Sequence, residues 1–244
     1  MSKLKALEMK TNGKKAEIYI SGDVISDLGG EYMKDWAIEH GYITPVDVRN
    51  ALASVDDDTD IDLHINSNGG EVAAGLAIGN FLAQSKHKIT CYIDGWAASI
   101  ATVIALSCGS VKMPKNTYMM IHYPSSTICG NLSELKKAVE DMEKITGSMI
   151  TFYVDKSNVD TKKMMELLEA ETWLTADESA ELFDNVEVID NADLKAVARI
   201  EPDLTRNMPS ELIDYLTDRN NAKKDMQDTI DKINKAVLDS VFDV

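Results

Sequence analysis

Between Ala16 and Ile189 the chain alternates short apolar stretches of strand type with stretches of helical type, and this rhythm restricts the folds open to it. Ala16 to Ile20 reads as a strand, followed by a Ser21-Gly22-Asp23 turn. Thr44-Pro45 opens a helix through about Ser54, with Thr44 as cap and Pro45 at the first helical position, where a missing N–H is harmless. Asp60 to Asn66 alternates polar and apolar residues as a strand, and after Gly69-Gly70 a helix carries Val72, Leu76, Ile78 and Leu82. The strand Ile89 to Ile93 then leads through a turn of small residues into a helix that starts near Ser99. Repeated strand-helix-strand units imply an α/β fold with a partly parallel sheet covered by helices.

Val111 to Met113 and Tyr118 to His122 add two short strands. From Asn131 the residues Leu132, Leu135, Val139, Met142, Ile145, Met149 and Phe152 recur at spacings of three and four, which describes an amphipathic helix to about Val154 that needs a partner surface. A helix near Thr161 to Leu168, a segment from Trp173 to Phe183 capped by Thr175, and a strand near Val186 to Ile189 complete the main domain, residues 1–199. Residues 200–244 differ in texture: a polar stretch, Asp203 to Pro209, leads to a charge-rich segment with Ile230, Ile233, Val237 and Val241 at helical spacing. This reads as a linker and a helical tail, either docked on its own domain or serving a partner.

Composition narrows the function classes. A net charge of -16 and a pI of about 4.6, with no concentrated basic patch, argue against a nucleic-acid-binding surface. Cys91, Cys108 and Cys129 are odd in number and widely spaced, which suggests neither a disulfide framework nor a metal site and fits a reducing cytoplasm. The chain opens on no signal-like segment and contains no apolar run long enough for a bilayer, so neither secretion nor membrane insertion is expected.

Three separated pieces have the makings of an acyl-transfer site. Ser99, at a helix start on a turn of small residues, presents a hydroxyl beside free backbone N–H groups and the positive helix end. Asn66-Ser67-Asn68-Gly69-Gly70 joins a strand to a helix, so its N–H groups face the space above the strand's carboxyl end, where an oxyanion could be held. It lacks the Gly-Lys-Ser/Thr ending of a nucleotide loop. His122 ends an apolar strand just before Pro124. Taken singly, the serine could be a cap, the glycine pair a tight turn and the histidine a satisfied core residue. One strand-helix-strand unit separates Gly70 from Ser99, which sets the two helix starts side by side on one sheet edge. The other histidines suit the role less: His40 lies in a polar turn, His64 along a central strand, and His87 between Lys86 and Lys88 at the expected surface.

The ordered segments Asn66-Ser67-Asn68-Gly69-Gly70, Gly95-Trp96-Ala97-Ala98-Ser99, Met120-Ile121-His122-Tyr123-Pro124 and Trp173-Leu174-Thr175-Ala176-Asp177-Glu178-Ser179-Ala180 resemble the ClpP family of serine peptidases over roughly Ala16 to Ile189. The resemblance implies a crotonase-like spiral of βαβ units with a long handle helix, here Asn131 to Val154, and a homo-oligomer of stacked rings. It implies Ser99 as nucleophile, His122 as general base, and the N–H groups of Gly70 and Ile100 as oxyanion donors, with no metal or organic cofactor. The family's acid is usually an aspartate two residues before the aromatic that is Trp173 here. This chain has Glu171 there, and Glu169 or Asp190 are geometric substitutes.

The C-terminal segment, with the Ile43-Thr44-Pro45 and Asp60 to Asn66 regions, is similar to ClpP-like proteases of phages and prophages. Those resemble head-maturation enzymes, which implies a capsid or scaffold polypeptide as substrate in a bacterial host cytoplasm. Alternatives are a general ClpP-like protease serving an ATP-dependent (AAA+) unfoldase, a catalytically silent scaffold component, and an acyl-CoA hydratase or isomerase of the same fold, which would not need Ser99 with His122.

Overall fold

The computed structural model describes residues 7–27 and 41–190, so His40, the linker and the tail expected over 200–244 lie outside the described residues. It opens with an antiparallel hairpin of β1 (Leu7–Asn12) and β2 (Lys15–Ser21), in which Gly13 takes φ +65°. The two loop residues are Gly13-Lys14, and a two-residue hairpin with glycine at its first central position requires that positive φ. β3 (Asp23–Val24) and β4 (Tyr42–Ile43) form a small parallel pair. α1 (Pro45–Ala53) starts at Thr44, whose side chain and Asp47 close a reciprocal capping box, satisfying two donors a bare helix end would leave unpaired.

β5 (Asp60–Ser67), α2 (Val72–Ala83), β6 (Ile89–Ala98) and α3 (Ile100–Leu106) follow, then β7 (Ser110–Pro114) and β8 (Tyr118–Ile121). The long helix α4 (Leu132–Asp155) precedes α5 (Thr161–Glu169), β9 (Thr172–Thr175), α6 (Ala176–Leu182) and β10 (Val186–Ile189). The main sheet has the order β1-β2-β5-β6-β7-β10 and is parallel from β2 onward, as the strand-helix rhythm requires. Its core face carries Ile18, Ile20, Leu63, Ile65, Cys91, Ile93, Val111 and Met113, all fully buried. Every residue of α3 is buried, which its sequence Ile100-Ala101-Thr102-Val103-Ile104-Ala105-Leu106 permits all round. α2 lies close on α3 because of Gly75: a methyl there would sit 2.2 Å from Ile100 Cγ1.

The turn expected at Asp94 to Ala98 is instead the second half of β6. The register runs Ile65↔Ile93 and then Ser67↔Ala97, so β6 spends four steps where β5 spends two and Asp94, Gly95 and Trp96 bulge out. Before the bulge β6 pairs with β7, and after it with β8, onto which β9 adds in antiparallel. Small residues resemble a turn locally, but a partner strand along Trp96–Ala98 gives their backbone a ladder.

α4 begins at Asn131, which forms a capping box with Glu134. Its apolar stripe is mostly uncovered: Leu132 is 71% and Val139 58% exposed, and only Met149 and Tyr153 are buried. Among the described residues no helix is long and apolar enough to cross a membrane, and no cluster of three or more His, Cys, Asp or Glu is placed to hold a metal ion.

Candidate active site

Ser99 joins β6 to α3 at φ 55°, ψ −129°, a conformation L residues rarely adopt. Three bonds hold it there. Its N–H donates to Met120 O (2.8 Å), continuing the β6–β8 ladder, and its carbonyl accepts from both the Thr102 N–H (3.0 Å) and the Thr102 hydroxyl (2.6 Å). A strand-to-helix turn with a strained backbone lifts a serine hydroxyl clear of its own main chain. Ser99 caps nothing: its side chain makes no bond to the helix N–H groups. Its Oγ lies instead 2.7 Å from His122 Nε2.

Because Thr102 Oγ1 donates to Ser99 O, it must accept from the Tyr153 hydroxyl, 2.5 Å away. Burial pushes the Tyr153 hydroxyl up to about 12, so it stays protonated and able to donate at neutral pH. Thr102 and Tyr153 are both buried, so Thr102→Val would strand the Tyr153 hydroxyl, while the Ser99 carbonyl would keep only the Thr102 N–H at 3.0 Å. We expect it to destabilise the fold by about 1–3 kcal/mol in urea unfolding, with Thr102→Ser close to the parent.

The glycine loop packs directly on this turn, as the spacing from Gly70 to Ser99 predicts. A methyl on Gly69 would sit 2.6 Å from Ala98 O, 2.8 Å from Ser99 Cβ and 3.1 Å from Ile100 N. Gly69 O accepts from Val24 N–H (2.7 Å) and Glu71 N–H donates to Val24 O (2.8 Å), which pins the loop to β3. The Ser67 hydroxyl donates to Gly22 O and accepts from Gly69 N–H. The N–H groups of Gly70 and Ile100 have no acceptor among the described residues. Both remain available to an incoming oxyanion.

β8 and β9 are antiparallel and their last paired rung is Ile121↔Thr172, so His122 and Glu171 each lie one residue beyond it. The Glu171 backbone is left-handed at φ 48° and its side chain is exposed. Among the described residues no carboxylate lies within hydrogen-bond distance of His122. Glu169 is exposed at the end of α5, and Asp190 pairs with Lys115 at 3.2 Å.

Two histidines are committed elsewhere. His64 is buried between the rings of Tyr19 and Tyr92, with Nδ1 2.9 Å from Asp94 Oδ1. His87, expected at the surface from its lysine neighbours, is buried instead, its Nδ1 3.0 Å from Thr59 O. The flanking lysines alternate outward while the histidine between them turns in. Thr102 and Tyr153, which brace the site, carry no recognisable signal in the sequence, and Asn68 and Trp96, though inside the quoted segments, show no role there until their partners are known.

A family model described as Clp protease matches residues 48–188, more than half of the chain. The ATP-dependent Clp protease proteolytic subunit of Bacteroides thetaiotaomicron is 30% identical over 132 residues, 53% of this chain and 60% of that protein. The same subunit of Streptococcus salivarius is 32% identical over 148 residues, 59% of this chain and 76% of that one. The chain thus spans less than two thirds of the Bacteroides relative. A ClpP1 mutant from Listeria monocytogenes superposes with a TM-score of 0.58 at 21% identity, covering 72% of this chain and 92% of the other, a likeness of fold.

Proposed function

The chain belongs to the Clp protease family, and on that footing we propose that it is a serine endopeptidase with Ser99 as nucleophile and His122 as general base. The observation that carries the reading is the 2.7 Å contact between Ser99 Oγ and His122 Nε2, at a serine held in a strained strand-helix turn. That separation is within proton-transfer reach. Nε2 takes the hydroxyl proton as Oγ attacks the peptide carbonyl, and the N–H groups of Gly70 and Ile100 hold the oxygen that becomes negative. Nε2 then returns the proton to the leaving amine, and water repeats the cycle on the acyl-enzyme.

Glu171 is the acid that orients the imidazole in this reading. Both residues stand one step past the Ile121↔Thr172 rung, and the reading requires the exposed glutamate side chain to turn from solvent to Nδ1. Self-assembly into stacked rings is supported by the uncovered stripe of α4, which offers Leu132, Leu135, Val139 and Ile145 to a second copy. The finer role, cleavage of a phage capsid or scaffold polypeptide in a bacterial cytoplasm, rests on resemblance alone; an AAA+ unfoldase is the partner in the general-protease alternative. A silent scaffold component is favoured by one observation, the unengaged Glu171.

A fluorophosphonate separates these readings. Stoichiometric labelling of Ser99, abolished by His122→Ala, is the expected result; an assembled, folded protein that takes no label overturns the peptidase. Glu171→Ala is expected to slow peptide turnover about 10- to 100-fold, less than the roughly 10⁴-fold of a fully engaged triad acid. Unchanged turnover at neutral pH would remove the glutamate from the mechanism.

A further inference from the structure

The segments that carry the candidate site meet at one side chain, and it is none of the residues assigned to chemistry. Trp96 sits on the β6 bulge, three residues before Ser99. Its backbone N–H, which the bulge removes from the ladder, donates to Asn66 Oδ1 at 3.3 Å, and its indole Nε1–H donates to Asn68 Oδ1 at 3.0 Å. Both asparagines belong to the loop that ends in Gly69-Gly70. Asn68 is held in turn by Asp23, its Nδ2 lying 3.3 Å from Asp23 Oδ1. Gly95 permits the approach: a methyl there would stand 2.6 Å from Asn66 Oδ1. On its other side the Trp96 ring meets Trp173 edge-on, with centroids 6.3 Å apart, and Trp173 lies two residues beyond Glu171.

The indole is 43% exposed, so its burial alone gives little reason for a tryptophan at this place. Two contacts from two segments, Asn68 and Trp173, nevertheless hold the ring in one orientation, and the backbone bond to Asn66 fixes its root. A flexible side chain would lose about 0.5–1.5 kcal/mol of rotamer freedom in such a clamp, whereas an indole has only two torsions to fix. The clamp ties the strand leading to Ser99 and Ile100 to the loop ending in Gly70. Each tied segment carries one of the two oxyanion donors.

We propose that Trp96 is a positioning residue that fixes the spacing between the Gly70 and Ile100 N–H groups through its hydrogen bonds to Asn66 and Asn68. The inference rests on the peptidase reading. An oxyanion hole works when its donors stand in place before charge develops, so a looser loop slows the chemical step and leaves ground-state binding alone. The neighbouring bonds from Val24 hold the loop from the other side, so the loss is graded.

The test is steady-state cleavage of a short N-acylated peptidyl-aminocoumarin by the full chain. Trp96→Phe keeps an aromatic ring against Trp173 and deletes the indole donor; Asn68→Ala deletes its acceptor at an exposed position that threatens no core. Each is expected to lower kcat about three- to tenfold, the worth of one hydrogen bond, with KM within about twofold. The double variant is expected to be no slower than the worse single, because both remove the same bond. A peptide boronate, which mimics the tetrahedral species, should weaken by the same factor as kcat/KM falls. Unchanged kcat, a loss confined to KM, or two losses that multiply would each overturn the proposal. Failure of the underlying reading looks different: Ser99→Ala would then retain turnover, whatever Trp96→Phe does.

Discussion

Ser99→Ala is expected to cut peptide turnover by about 10³- to 10⁶-fold while leaving thermal unfolding and native mass close to those of the parent. The magnitude follows from what remains. Without Oγ there is no acyl-enzyme, and His122 can only assist a water molecule from a position set for a hydroxyl; the free N–H groups of Gly70 and Ile100 still polarise a bound carbonyl. Removal of His122 should cost nearly as much, and removing both little more, because nucleophile and base act as one unit. The fold should tolerate the change. The Ser99 hydroxyl caps no helix, and the three bonds to its main chain that shape the turn, one to Met120 O and two from the Thr102 N–H and hydroxyl, survive in alanine. The same turnover in Ser99→Ala as in the parent, measured with purified protein by a fluorogenic peptide, would end the nucleophile assignment.

Gly70→Ala should damage both activity and stability. Gly70 sits at φ +144°, and a methyl group would lie 2.0 Å from Val24 O and 2.8 Å from Val24 N. Both flanking peptide groups are bonded to that same valine, so the loop cannot shift outward without losing Gly69 O or Glu71 N–H as partners. We expect a fall of about 2–4 kcal/mol in denaturant unfolding from strain and lost bonds. We also expect a fall of about 10²- to 10³-fold in kcat, the usual consequence of losing one oxyanion donor. Gly13→Ala is the matched control. It too has positive φ, at +65°, but nothing stands within 4 Å of the added methyl, so a cost of about 1 kcal/mol and unchanged kcat are expected. Equal effects at the two glycines would show that backbone strain alone, and not the donor, is responsible.

Local chemistry made much of the frame readable. Thr44-Pro45, Asn131 and Thr175 cap the helices that the sequence assigns to them, and the parallel order follows from strands separated by helices. The spacing of Gly70 from Ser99 predicts that the glycine loop meets the serine turn, as it does through Gly69, because a βαβ unit returns the chain to the same sheet edge. What escaped depended on partners distant in sequence. The second half of β6 looks like a turn until β8 pairs with it, and His87 looks solvated until its own ring finds Thr59 O. The β1 hairpin turns on Gly13-Lys14, a cue outside the segments on which the strand reading rests. Glu171 is singled out by its place relative to Trp173. It lies one residue beyond the last β8–β9 rung, and rotamer and backbone angle, which no spacing encodes, decide whether the carboxylate reaches the His122 ring.

α4 has 24 residues, which at 1.5 Å each makes a rod of about 36 Å. It is anchored only near one end, where Met149 and Tyr153 enter the core. Mechanically this is a cantilever, and its root is the tyrosine whose hydroxyl reaches Thr102 and, through it, the carbonyl of Ser99. A load applied to the free end is therefore borne two hydrogen bonds from the nucleophile's own peptide group.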